Sequence, residues 1–250
     1  MSTSLLISTL TAMSILSSPA IQAGGRPDTL RIAFQATTGS SAAEQAATLG
    51  VRLGVEEARQ TGSMVGRPVV LVQPPDETGG IPAPGVSVVI GGSGGQRCGD
   101  LLAAAEAGTA LVLNLGCGAD SLRTGRHAML FHVGASDSIY GRSPPGASLW
   151  LPSLERYGAA QLNDRFSARF GAPMSAPAWA GWMAVKIALE ASLRTRTTDS
   201  AALAAVLLAP GMRFDGHKGR ALSFRRGDHQ LVQPLYAAGA AGGAIEEVSP

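Results

Sequence analysis

The segment Gly91-Gly-Ser-Gly-Gly95 has the residue types and spacing that most directly suggest chemistry. Read as Gly-x-Ser-x-Gly between a β-branched run and a helical segment, it has the setting of a nucleophile elbow. Asp215 and His229 follow in the acid-then-histidine order that a serine hydrolase triad requires. A short glycine-rich loop meets that pattern easily by chance, however, and a hydrolase needs more sheet ahead of its elbow than this chain provides. Read differently, the glycines let backbone N–H groups approach a bound solute. The helix that follows adds free donors and a partial positive charge suited to a carboxylate. The plainest reading is a flexible turn with no ligand.

Other catalytic or metal constellations are weak. His127 and His132 stand around a strand, His217 and His229 lie in turns, and no set has zinc-like spacing, so no metal site is expected. No Gly-Lys-Ser/Thr follows a glycine run, and Arg97 holds the place of the third glycine in a dinucleotide fingerprint. No cofactor is expected. The two cysteines, Cys98 and Cys117, follow the third and fourth predicted strands. Neighbouring parallel strands lie about 4.8 Å apart, so loops leaving one sheet edge can bring two Cα atoms within disulfide range. The alternatives are a Cys98–Cys117 bridge or two small buried thiols.

The elements that must position these residues alternate along the chain. Leu30–Gln35 reads as a strand, Ala42 onward as a long amphipathic helix, and the run from Val69 as a second strand. Val86–Ile90, Ala110–Asn114 and Met129–Val133 read as further strands, with a helix from Arg97 to Ala107. Each strand is mainly apolar, as expected where helices cover both faces of a parallel sheet. After the Pro- and Gly-rich Gly141–Gly146, the patterns predict helices over Pro152–Phe170, Ser175–Leu193 and Ser200–Leu208. Trp179, Met183 and Ile187 form an i, i+4 stripe that reads as core packing. A hairpin-like pair of short strands is expected between Phe214 and Tyr236.

In open α/β sheets, ligands sit outside the carboxyl ends of the strands. Four loops occupy that position: Gln35–Thr38, Gln73–Asp76, Gly91–Arg97 and Asn114–Asp120. Thr37 and Asp76 are the candidate side chains of the first two.

Bulk composition bounds the class. The chain has 250 residues, 45% hydrophobic and 15% charged, which is ample material for a core. Its formal charge of +2 is near neutral and its basic residues are scattered, so no nucleic-acid partner is implied. Residues 1–23 resemble a secretory signal: an apolar run, Leu5–Leu16, precedes small residues ending at Ala23, although no Lys or Arg comes before it. Export to the periplasm is the expectation.

The letters also carry a resemblance. The helix from Ala42, with Gly-Arg-Pro-Val-Val-Leu-Val at 66–72, resembles the opening of type I periplasmic binding proteins, the solute receptors of branched-chain amino acid ABC importers. Ile90 onward, Phe131–Asp137, and the closing Phe214–Tyr236 pattern are similar to later parts of that family. More narrowly, Asn114–Arg123 and Asp228–Tyr236 look like the branch associated with PQQ-dependent alcohol dehydrogenase systems.

The resemblance implies a parallel-sheet, Rossmann-like α/β fold without enzymatic activity. The implied function is capture of a small polar or carboxylate-bearing solute for an ABC permease or a periplasmic PQQ-dependent dehydrogenase or cytochrome. It carries ligand contacts onto Ser93, Gly94, Gly95 and Gln96, and onto Gly116, Cys117 and Gly118. The family's hydroxyl-bearing residue after the fourth strand is Gly118 here. Asp215 and His229 fall inside the family's closing pattern.

Type I receptors have two α/β lobes, and here the second is reduced. The organisation expected is a signal at 1–23, a first lobe at 24–140, and a reduced, mainly helical second lobe with the crossover segment at 141–250. A degenerate lobe acting as a protein-interaction or accessory module is the alternative from another class.

Overall fold

The computed structural model describes residues 28–36, 41–72, 83–95, 97–124, 127–238 and 245–248. The signal segment at 1–23 lies outside them. The first strands are β1 (Leu30–Phe34), β2 (Val69–Val72), β3 (Val88–Gly91), β4 (Leu111–Asn114) and β5 (Leu130–His132). They form one parallel sheet in the order β2-β1-β3-β4-β5. Connections run from β1 outward in both directions, so the sheet has its switch point between β1 and β3. The apolar side chains of β1, β3, β4 and β5 are buried on both faces, as their hydrophobic runs require, while the edge strand β2 leaves Val70 exposed.

One face carries α2 (Cys98–Ala107), which closes a core of Ala33, Val89, Leu101, Ala104 and Val112. The other carries α1 (Ala42–Met64) and α6 (Ala176–Thr195). Ser41 caps α1, its hydroxyl accepting from Glu44 N at 3.3 Å. The two helices pack backbone to backbone. A Cβ on Gly50 would collide with the Ala178 carbonyl, and one on Gly181 would lie 2.6 Å from the Ala47 oxygen. Trp179, Met183 and Ile187 are fully buried, as their stripe predicts. Among the described residues no helix is long and apolar enough to cross a membrane, α6 included.

The remaining helices are α3 (Ser121–Thr124), α4 (Asp137–Arg142), α5 (Ala159–Phe170) and α7 (Ser200–Leu207). The predicted helix from Pro152 starts seven residues later. Tyr157 and Gly158 both take positive φ, at 59° and 84°, and cannot continue a helix backwards. α5 is tied to α1 by the Arg165–Glu57 and Arg169–Glu56 pairs.

The closing segment is more elaborate than a hairpin. β6 (Phe214–Asp215), β7 (Ala221–Phe224) and β8 (Leu231–Val232) form a three-stranded antiparallel sheet, and β9 (Leu235–Ala238) pairs with β10 (Ile245–Val248). Among the described residues there is one parallel sheet. The helices after residue 150 and the strand β6 pack into its core, with Leu162, Phe166, Trp179, Leu203 and Phe214 in the same cluster as β1, β3 and β4.

Candidate functional site

Beyond the carboxyl ends of β3 and β4, a cavity of about 160 Å³ opens beside the start of α1. This is the switch-point crevice where an open α/β sheet binds its ligand. Ser93, Gly94, Gly116 and Gly118 line it, with Asp137 and Tyr140 of α4. The parallel registers Ile90↔Leu113 and Gly91↔Asn114 carry the 92–95 and 115–118 loops off the same edge, so they meet.

Each loop is held rigidly. Gly92 has φ of 75°, and a Cβ there would lie 2.7 Å from Cys117 Sγ and 2.9 Å from Asn114 Oδ1, so only glycine fits. Ser93 is buried and its hydroxyl donates to the Ala43 carbonyl at 3.1 Å, tying the glycine loop to the first turn of α1. The Asn114 side chain folds over the next turn, Oδ1 accepting from Gly116 N at 3.1 Å and Cys117 N at 2.8 Å. Cys98 and Cys117 form a disulfide with Cα atoms 5.8 Å apart, joining the start of α2 to the loop after β4.

Of the residues expected to contact a solute, Ser93, Gly94, Gly116 and Gly118 share the cavity. Gly95 is adjacent and exposed, and Cys117 is buried beneath the floor in the disulfide. Thr37, Asp76 and Gln96 lie outside the described residues. The hydrolase triad is not assembled. Ser93 opens on this cavity, whereas His229 stacks on Phe131 at 4.3 Å and lines a different one. Asp215 Oδ1 accepts from the His217 backbone N–H.

Several residues that local pattern does not reveal shape the site. Arg123 is buried, and its guanidinium donates to the carbonyls of Cys117, Gly118, Ala119 and Gly134 and to Gln230 Oε1. Burial lowers its pKa, opposed by Asp120, Asp137 and Asp228. Gln230 Nε2 donates to the His132 and Gly134 carbonyls, and Gln233 Nε2 to Val133 O at 2.6 Å. Lys218, fully buried, donates to Gln233 Oε1 and Pro234 O, with Nζ 3.9 Å from the centre of the Trp179 ring. The polar letters of the closing pattern therefore fasten the C-terminal segment to the connection after β5, which forms a cavity wall. Gln230 and Gln233, set beside Leu231, Val232 and Leu235, were the available signal, but partners about a hundred residues away are not legible from it.

A larger cavity of about 620 Å³ lies along α7 and the edge strand β5. Alanines and leucines form much of its wall, and it holds none of the glycine loops. The smaller cavity is the candidate because it sits at the strand ends where the two glycine loops meet.

Residues 143–244 match the family described as periplasmic binding protein. No curated protein matches the chain. Among solved structures, the chain resembles the branched-chain amino acid transporter substrate binding protein LivJ of Streptococcus pneumoniae, in complex with isoleucine. That match has a TM-score of 0.65 at 14% identity, covering 90% of this chain and 100% of the other. It also resembles an ABC-type branched-chain amino acid transporter from Rhodopseudomonas palustris (TM-score 0.63, 15% identity, 88% and 95% covered). A solute binding protein of R. palustris in complex with benzoate gives a TM-score of 0.62 at 13% identity, again with 88% and 95% covered. With its parallel sheet, its glycine loops at the switch point and these matches, the chain has the fold of the type I periplasmic binding proteins, and its segment 143–244 matches that family.

Proposed function

We propose that this protein is a periplasmic solute receptor that captures a small polar or carboxylate-bearing solute reversibly and without chemistry. The observation that carries the reading is the cavity at the switch point, where Ser93, Gly94, Gly116 and Gly118 come together beside the start of α1. The captured solute passes to an ABC permease or to a PQQ-dependent alcohol oxidation system. The resemblance of Asn114–Arg123 and Asp228–Tyr236 to that branch supports the second destination. Residues 1–23 direct export, 24–140 form the binding lobe, and 141–250 are what remains of the second lobe and crossover, folded onto the first.

One observation favours a second reading, a receptor lobe turned accessory or protein-interaction module. Among the described residues there is a single parallel sheet, and the clamshell closure by which two lobes bury a solute needs two walls.

A thermal-shift screen of the chain from Gly24 separates the readings. The panel holds amino acids, short carboxylates, alcohols, aldehydes and quinone-like cofactors. A ligand at a hundred times its Kd adds about 2.7 kcal/mol. A saturable shift with one chemical class supports the receptor. A cooperative melt unmoved by every compound sinks it and leaves the accessory module.

A further inference from the structure

We infer that Asp137 gives the cavity a preference for a small ammonium-bearing solute over a carboxylate. The inference rests on the receptor reading above and reverses the charge preference that the glycine loops alone suggest. Asp137 is the first residue of α4, fixed there by Ser136, whose hydroxyl accepts from Ile139 N at 3.1 Å, and by its own N–H, which donates to Gly118 O at 2.8 Å. Its carboxylate lies so close to Gly118 that a Cβ on residue 118 would collide with Oδ1. The glycine thus makes room for an anion at the cavity wall.

The surrounding groups do not neutralise it. Among the described residues no ion pair or side-chain hydrogen bond engages the Asp137 carboxylate. Arg123 lies within electrostatic reach, but its guanidinium donates to Gln230 and to backbone carbonyls, and Asp120, Asp137 and Asp228 together face it. Donors for an anion are correspondingly scarce. Ser93 spends its hydroxyl on Ala43 O, and residue 118 has no side chain to offer. Tyr140 lines the same wall, and an aromatic side chain accommodates a cation as well as a neutral solute. A carboxylate entering here is repelled by the Asp137 carboxylate, whereas an ammonium gains a charge-assisted hydrogen bond.

The test uses three probes with one skeleton: ethanolamine, ethylene glycol and glycolate. Each is titrated at millimolar concentrations into the isotope-labelled chain from Gly24, following the amide resonances of Gly94, Gly116 and Gly118. Ethanolamine is expected to bind most tightly and glycolate least. Asp137→Asn should weaken ethanolamine about fivefold, leave ethylene glycol unchanged and strengthen glycolate, the size expected for one partly exposed ion pair. Gly118→Ala, which keeps the charge but displaces the carboxylate, should also lose the preference. Glycolate binding as tightly as ethanolamine, or an ethanolamine affinity indifferent to Asp137→Asn, overturns the inference and leaves the receptor standing. No shift at these three glycines with any probe overturns the binding role of the cavity, and the inference with it.

Discussion

Asn114 and His132 are register partners across β4 and β5, and the Asn114 side-chain amide donates to His132 Nδ1 at 2.8 Å. The direction is determined by the rest of Asn114, whose Oδ1 already accepts two backbone N–H groups, so the nitrogen must face the imidazole. His132 is therefore neutral, with its proton on Nε2. Burial foremost, and then the charges of Arg123 and His229, push its pKa down to about 3.

That shift has a sign. Between about pH 6.5 and 3 the unfolded chain binds a proton at His132 that the folded chain refuses, so stability falls as pH drops through this window. From pH 7 to 5 the contribution lost is about 2 kcal/mol. His132→Gln, which keeps an acceptor for Asn114, should flatten that part of the profile. Urea midpoints at stepped pH for both proteins provide the comparison, and parallel profiles would count against His132 as the source.

The disulfide joins the start of α2 to the loop after β4 and closes a short stretch, the cysteines being 19 residues apart. Chain entropy for a loop of that size is worth about 3 kcal/mol. Reduction, or Cys98→Ser with Cys117→Ser, should lower the melting temperature by about 10 °C in a chain this long. Calorimetry with and without dithiothreitol reads the effect.

Arg123 satisfies four loop carbonyls, and its bonds to those of Cys117 and Gly134 are buried. Arg123→Ala should cost about 3 kcal/mol or more, because it orphans buried acceptors. Arg123→Lys should rescue little of this, since a point ammonium cannot reproduce the planar fork. Denaturant midpoints give the energy. Hydrogen exchange at Gly118 and Asp120 should show whether the loss is local to this loop.

Two glycines in helices should respond to alanine with opposite signs. Gly99 in α2 has open space around it, so Gly99→Ala should stabilise by a few tenths to about 1 kcal/mol through helix propensity. Gly50 abuts the Ala178 carbonyl where α1 crosses α6, so Gly50→Ala should destabilise by about 2 kcal/mol or more as the helices are forced apart. Equal effects in chemical denaturation would mean that the α1–α6 contact is looser than described.

Local pattern carried much of the architecture. Val88–Gly91 and Leu111–Asn114 are legible as buried parallel strands because Val88–Ile90 and Leu111–Leu113 are unbroken apolar runs, and α1 and α6 because their apolar residues recur at helical spacing. The boundary at Ala159 was not legible, because nothing in Leu154–Tyr157 announces that Tyr157 will take a positive φ. The cavity was half legible. Glycine loops at strand ends mark a place, and Ser93, Gly94, Gly116 and Gly118 are found lining it.

What the sequence determined by itself is the set of elements and the sheet edge at which a ligand would stand, since both follow from short-range periodicity and turn chemistry. The tertiary structure alone decided which partners meet. Gly118 makes room for Asp137, Arg123 joins a loop to Gln230 a sequence distance of 107 away, and His132 is held neutral by Asn114. These depend on strand order and on where the closing segment docks. A side chain's charge and donor inventory are written in its letter, but its desolvation and its partners are properties of the packed fold.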